Sequence, residues 1–168
     1  VAEAATHLAD FSDLPGRGAQ HHGIFNQQPI TLVDDSYNAG PTSMAAALDG
    51  LAGSPPQIMV LSDMLELGDG SSTAHDALVP LLAPLVPREV IALGPEMGRM
   101  TTALAAACPS VACHLVNDTE QAISLLAGLV QENDRIFIKG SNGSGAHHVA
   151  DALISDMTST PKNKADGG

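Results

Sequence analysis

Aromatic side chains are almost missing from this sequence: no tryptophan, one tyrosine and three phenylalanines, 2% of 168 residues. That disfavours an aromatic-rich β-sandwich, and leaves Leu, Val, Ile, Ala and Met to build the core, as they do in a helix-covered parallel sheet. Positive charge is scarce as well. Seven Lys and Arg stand against nineteen Asp and Glu, a formal net charge of -12, which repels a nucleic-acid backbone and an anionic membrane surface alike. No apolar run approaches the roughly 20 residues that a membrane-spanning helix needs, and the first residues carry no basic, apolar leader. A cytoplasmic location is the expectation. The two cysteines, Cys108 and Cys113, have no second pair to complete a disulfide framework or a zinc site, so they are expected to be buried free thiols. The chain starts with Val and reads as a piece excised from something longer.

What is present is a regular alternation. From residue 23 short apolar runs alternate with helical patterns, the mark of βα units and a parallel sheet. Strands are expected at 23–27, 30–35, 57–62, 89–94, 112–116 and 135–139. Because only "QQP" separates the first two, they are expected to form a hairpin, placing one antiparallel strand at the edge of an otherwise parallel sheet. Helices are expected at 41–52, with Met44, Leu48 and Leu51 inward; at 72–86, kinked or shortened by Pro80 and Pro84; from Pro95, with Met97, Met100 and Leu104 inward; after the cap Asp118, with Ala122, Leu126 and Leu129; and at 146–157, with Val149, Leu153 and Met157. Right-handed crossovers put such helices on both faces of the sheet. The expected fold is therefore α/β, a doubly wound, mostly parallel Rossmann-like sheet of about six strands. Residues 1–14 read as the end of a helix from a preceding domain and its linker. Residues 15–158 form the domain itself, and the polar tail 159–168 is expected to be flexible.

In such sheets ligands sit beyond the carboxyl ends of the strands. Four sequences fall there: "VDDSYNAGP" with Asp34 and Asp35, "VLSDMLELGD" with Asp63, "LGPEMG" around Gly94, and "IKGSNGSG" with Lys139. All are expected on one rim. An aspartate at a strand-to-helix turn either satisfies free N–H groups there or holds a ribose hydroxyl or a metal ion. The three glycines after Lys139 let the backbone approach an anion closely. Two of the seven basic residues lie in the tail, leaving Arg17, Arg88, Arg99, Arg135 and Lys139 for the folded part. There is no G-x-x-x-x-G-K-[ST] and no G-x-G-x-x-G after the first strand, so a main phosphate cradle is absent. His75, near a helix start, reads on its own as a surface or capping residue. The pairs His21–His22 and His147–His148 do not point together, and no bound metal is expected. A phospho-accepting receiver module also places two aspartates early, "SDM" after a later strand and a lysine late. Its topology interposes a further strand and helix between the positions of Asp35 and Asp63, which lie only 63 − 35 = 28 residues apart here.

"DDSYNAGPTSMAAALDGLA", then "VLSDMLELGD" with His75 downstream, then "ALG" and "IFIKGSNGSG", resembles the C-terminal domain of the Mur ligases over roughly residues 7–157. The closest pattern is that of the members that add D-alanyl-D-alanine: D-D-S-Y-N-A-N-P-x-S-M, G-D-M-x-E-L-G and V-K-G-S. "LPGRG" around Arg17 resembles the G-R joining the family's central and C-terminal domains. Two departures stand out: Gly40 where the family usually has Asn, and Ser62 where it usually has Gly.

The resemblance implies a three-domain, ATP-dependent ligase of peptidoglycan synthesis. ATP phosphorylates the carboxylate of a UDP-N-acetylmuramoyl tripeptide, and the dipeptide amine attacks the acyl phosphate. The UDP-sugar site, the P-loop and the Mg2+ ligands belong to the missing N-terminal and central domains, so this fragment alone is expected to be inactive and to carry no bound cofactor. By resemblance Arg17, Asp35, Ser36 and Asn38 meet ATP on domain closure. Lys139, Gly140 and Ser141 face the dipeptide, and Asp34, Tyr37, Asp63 and His75 support the rim. The alternatives are a sibling ligase, including the folylpolyglutamate type, and the receiver-like module.

Overall fold

A computed structural model describes residues 15–158. Six strands, β1 Ala19–Phe25, β2 Gln28–Asp35, β3 Ile58–Ser62, β4 Glu89–Leu93, β5 Ala112–Val116 and β6 Arg135–Lys139, form one sheet in the order β1-β2-β6-β3-β4-β5. β1 pairs with β2 antiparallel, and every other pairing is parallel. The helices are α1 Pro41–Gly50, α2 Ser71–Asp76, α3 Val79–Leu82, α4 Pro95–Ala107, α5 Thr119–Leu129 and α6 Ala146–Asp156, with short 3-10 turns at Gly68–Gly70, Ala83–Leu85 and Asn142–Ser144.

The strands are apolar throughout because successive side chains enter two different cores. Val33, Met59, Leu61, Val90, Ala92 and Phe137 pack on one face with Met44, Leu48, Leu82, Met97, Met100 and Leu104. Leu32, Ile58, Val60, Ile91, Ile136 and Ile138 pack on the other with Ala122, Leu126, Val149 and Leu153. Helices thus cover both faces, as the alternation of patterns requires.

Differences from the sequence reading are local. The hairpin turn is Asn26–Gln27, both with positive φ (45° and 67°), and β1 begins at Ala19 instead of residue 23. Those two dihedrals are the mirror-image turn that matches the twist of the flanking strands, and the Asn26 side chain donates to the Ala127 carbonyl at 2.6 Å. The helix expected over 72–86 is α2, α3 and a 3-10 turn in succession, ending at Val86 with φ 44°; Pro80 and Pro84 cannot continue an interior hydrogen-bond ladder. Met157 lies just past the end of α6 and is half-buried. Cys108 and Cys113 are free but only half-buried, because both lie at the margin of the first core. Burial, with Cys108 and Glu89 adding repulsion, still pushes the Cys113 thiol above its ordinary range. The stretches read as a preceding helix and a loose tail lie outside the described residues. Among the described residues no helix is long and apolar enough to cross a membrane.

The amino end of the sheet is held by charge. Asp134 is buried, and its carboxylate accepts from Arg88 Nη1 at 3.0 Å, from Arg88 Nη2 at 2.8 Å and from the Gln131 amide at 2.7 Å. The Asp134 carboxylate keeps the Arg88 guanidinium even more firmly protonated than usual. Arg88→Ala leaves that carboxylate buried with one donor, and because Arg88 is itself about a third exposed the cost is below that of a fully buried pair, about 1–3 kcal/mol. A urea midpoint within error of wild type would contradict this account.

Candidate functional site

The carboxyl ends of β2, β6, β3 and β4 lie side by side. Asp35 is the register partner of Lys139, Lys139 of Leu61, and Ser62 of Leu93. The four sequences singled out above therefore share one rim.

The two adjacent aspartates face different surroundings because successive strand residues point to opposite sides. Asp34 is buried and accepts three hydrogen bonds, from the Gly16 amide at 3.0 Å, the Ser36 amide at 3.1 Å and the Ser36 hydroxyl at 2.5 Å. Tyr37 in turn donates its amide to the Gly16 carbonyl at 2.8 Å. Asp34 thereby fastens the incoming Pro15–Gly18 segment to the loop after β2. Asp35 is half-buried, and its Oδ2 lies 2.8 Å from Lys139 Nζ. Its Oδ1 has no hydrogen-bond partner among the described residues. Lys139 is 2% exposed, and its ammonium also donates to the Asn38 carbonyl at 3.0 Å. The ammonium is thus held within the rim, its position fixed by Asp35 and the Tyr37–Asn38 loop.

Ser141 is tied on both sides. Its hydroxyl donates to the Ala39 carbonyl and accepts from the Leu65 amide, each at 3.0 Å, joining the loops that follow β2, β3 and β6. Gly140 has no room for a side chain, since a Cβ there would lie 1.6 Å from the Ser62 hydroxyl. That hydroxyl pairs with Ser144 Oγ at 2.6 Å, so the serine that departs from the family pattern adds a cross-link to the glycine-rich loop. The second departure, Gly40, is the N-cap of α1 and leaves its first turn without a side-chain acceptor; only the reverse bond, Gly40 amide to Ser43 Oγ at 3.0 Å, is made.

Asp63 caps α4: its Oδ1 accepts from the Met97 amide at 2.8 Å and its Oδ2 from the Glu96 amide at 3.3 Å. With both oxygens engaged in a buried position, it is not presented as a receiver-type phospho-acceptor. His75, expected on sequence alone to be a surface or capping residue, is fully buried. Its Nε2 accepts from the Met64 amide at 3.0 Å, which leaves Nδ1 to donate to the Ser71 carbonyl at 2.7 Å. It is a neutral strut under the loop after β3. Arg17 and Tyr37 are exposed, the guanidinium 4.2 Å from the ring centroid.

Between these loops lies a cleft of about 250 Å³, lined by Tyr37, Asn38, Leu65, Glu66, Ser141, Asn142 and Gly143. Glu66 did not figure in the sequence reading; its only signal there was a place inside the "DMLELG" match. No group of three or more His, Cys, Asp or Glu comes together among the described residues.

Two substitutions test the local geometry. Gly94 has φ 111°, and a Cβ there would sit 2.5 Å from the Asp63 carboxyl carbon; Gly94→Ala should cost about 2–4 kcal/mol in urea unfolding through backbone strain and displacement of the α4 cap. Gly40 has φ −139° and open space around its Cβ direction. Gly40→Asn should therefore raise stability by roughly 0.3–1 kcal/mol, and a lower urea midpoint would show that the open N-terminus of α1 has been misread.

A sequence model of the family described as "Mur ligase, glutamate ligase domain" matches residues 20–142. The UDP-N-acetylmuramoyl-tripeptide--D-alanyl-D-alanine ligase of Mycobacterium bovis is 32% identical over 152 residues, 77% of this chain and 29% of that protein. The ligase of the same name from Escherichia coli K12 is 32% identical over 154 residues, 90% of this chain and 32% of that protein. Among solved structures, a MurF ligase from Thermotoga maritima in complex with ADP shares the fold, with a TM-score of 0.71 at 23% identity over 90% of this chain and 33% of that one. The chain spans about a third of the length of these relatives. With the family model matching residues 20–142 and these relatives alike over about a third of their length, the chain belongs to the Mur ligase family and corresponds to its C-terminal domain.

Proposed function

We propose that this chain is the closing domain of an ATP-dependent ligase that adds D-alanyl-D-alanine to a UDP-N-acetylmuramoyl tripeptide, a cytoplasmic step of peptidoglycan precursor synthesis. The observation that carries the proposal is the Asp35–Lys139 pair at the mouth of the rim. Lys139 holds one carboxylate oxygen of Asp35 and leaves the other unpartnered, an arrangement suited to accept a hydrogen bond from a ribose hydroxyl of ATP presented by another domain. Ser36 and Asn38 hold the loop in place, and Arg17, exposed at the edge, is free to leave the Tyr37 ring for a phosphate oxygen. Lys139, Gly140 and Ser141 serve the dipeptide by shaping the neighbouring cleft, since their polar groups already bind the protein.

Charge explains the division of labour. A triphosphate needs several cations, and among the described residues this rim offers one exposed cation, Arg17, on a chain of net charge -12. The P-loop and the Mg2+ ligands are assigned to the missing central domain and the UDP-sugar site to the N-terminal one. In the reaction a phosphoryl group passes from ATP to the tripeptide carboxylate. The dipeptide ammonium loses one proton to free its lone pair; the nitrogen then forms its bond to the acyl carbon while the carbon–oxygen bond to phosphate breaks, and a second proton leaves, so that the amide keeps one N–H. Closure of this domain excludes water from the acyl phosphate.

The isolated chain should not ligate and should bind ATP with a dissociation constant no tighter than about 0.1 mM; micromolar binding by calorimetry would overturn the assignment of the phosphate site elsewhere. Joined to the two upstream domains, it should ligate D-alanyl-D-alanine. In that assembly Asp35→Asn should raise KM for ATP about 10- to 100-fold, the loss of one charged hydrogen bond of about 1.5–3 kcal/mol. An unchanged KM for ATP would remove Asp35 from the nucleotide site.

A further inference from the structure

Glu66 is the residue of the rim that the preceding assignments leave without a task. Its backbone is in the left-handed region at φ 63°, a conformation that costs a residue with a side chain on the order of 1 kcal/mol or more and that persists only where the surroundings impose it. Here they do. The two preceding amides are both tied down by side chains, Met64 by the buried imidazole of His75 and Leu65 by Ser141, each at 3.0 Å, and Gly68 follows with φ 54°. The loop is built so that an exposed glutamate stands at the lip of the 250 Å³ cleft.

The Glu66 carboxylate has no ion pair or hydrogen bond among the described residues. The cations nearby in the rim are otherwise engaged, Lys139 with Asp35 and the Asn38 carbonyl, Arg17 over the Tyr37 ring. An unpaired carboxylate in a small polar recess repels anions and attracts one cation. The cleft is below the roughly 300–1,000 Å³ typical of sites for drug-sized ligands, so its occupant is small. Beside Glu66 the cleft also has an apolar element: Leu65 is 43% exposed and leans over Gly143, where an added Cβ would meet its Cδ1 at 3.1 Å.

We propose that Glu66 is the binding residue for the ammonium group of the incoming dipeptide. The inference rests on the functional reading above and adds to it. ATP brings no ammonium, whereas the dipeptide carries one at the nitrogen that reacts, next to the acyl group this domain closes over. Leu65 gives its methyl side chains an apolar contact. The strained loop fixes the carboxylate before the ligand arrives, so little ordering is left to oppose binding.

The test uses the chain joined to the upstream domains. Glu66→Gln should raise KM for D-alanyl-D-alanine at least tenfold and leave KM for ATP and for the UDP-tripeptide within twofold. N-acetyl-D-alanyl-D-alanine, which lacks the charge, should inhibit wild type and Glu66→Gln equally weakly. Glu66→Gly relieves the left-handed strain, so its melting temperature should equal or exceed that of wild type while KM for the dipeptide rises as in Glu66→Gln; a glutamate needed only for folding would give a lower melting temperature. If the wild-type assembly does not ligate D-alanyl-D-alanine, the functional reading fails and this inference with it. If it ligates but Glu66→Gln keeps the wild-type KM for the dipeptide, this inference alone is overturned.

Discussion

A buried ammonium organises the rim. Taking Lys139 out of water costs several kcal/mol unless its charge and its donors are matched, and here they are matched by Asp35 and the Asn38 carbonyl. Asp35 and Lys139 are register partners on β2 and β6, and Lys139 is also the register partner of Leu61 on β3. A slip of one residue in either pairing would turn the lysine toward the opposite face of the sheet, away from its counter-charge. The ion pair therefore does two things at once. It fixes the relative height of the β2 and β6 tips, and it engages one oxygen of Asp35 while leaving the other without a partner among the described residues.

Small residues complete what the ion pair begins. Gly140 allows Ser62 to enter the space a side chain would occupy, and Ser62 then reaches Ser144 across the loop. Ser141 closes the loops after β2 and β3 onto the loop after β6. Each bond contributes only about 1 kcal/mol, yet together they remove the freedom the glycine-rich segment would otherwise have. The backbone strain at Glu66 is tolerable for the same reason: the loop is fixed at Met64 and Leu65, so it cannot relax into an easier conformation without breaking bonds on both sides.

Much of this was legible in the sequence, because strands buried on both faces and amphipathic helices follow the two periodicities of the backbone. The caps could be read as well: Asp118 accepts from the Gln121 amide at 2.8 Å, as its place before an apolar stripe requires. Where the reading slipped, the missing information lay elsewhere in the chain. The start of β1 is hidden by polar residues such as Gln20 and His22 that are exposed on an edge strand. The hairpin turn at Asn26–Gln27 lacks glycine, so nothing local marks its position. His75 carries no periodic mark of burial, since the amide that needs it belongs to a loop eleven residues away. A lysine at the end of a strand looks solvated until its partner on another strand is known. The conformation of Glu66 is set by two tertiary hydrogen bonds and leaves no trace in its neighbours.

The acidic residues of the rim form a series graded by what holds them. Asp34 and Asp63 accept backbone amides with both oxygens and are buried, so they belong to the fold. Asp35 shares one oxygen with Lys139 and sits half open. Glu66 is exposed and unpaired among the described residues. A carboxylate desolvated and saturated with donors has nothing left to offer a ligand, whereas one that is positioned but incompletely matched gains most when a ligand supplies the missing donor or charge. Along that gradient the rim changes from scaffold to binding surface, and its unmet demand is for hydrogen-bond donors and one positive charge. Those are what a ribose and an ammonium provide, and what a polyphosphate does not. In the proposed function, the phosphate-binding cations are therefore assigned to another domain.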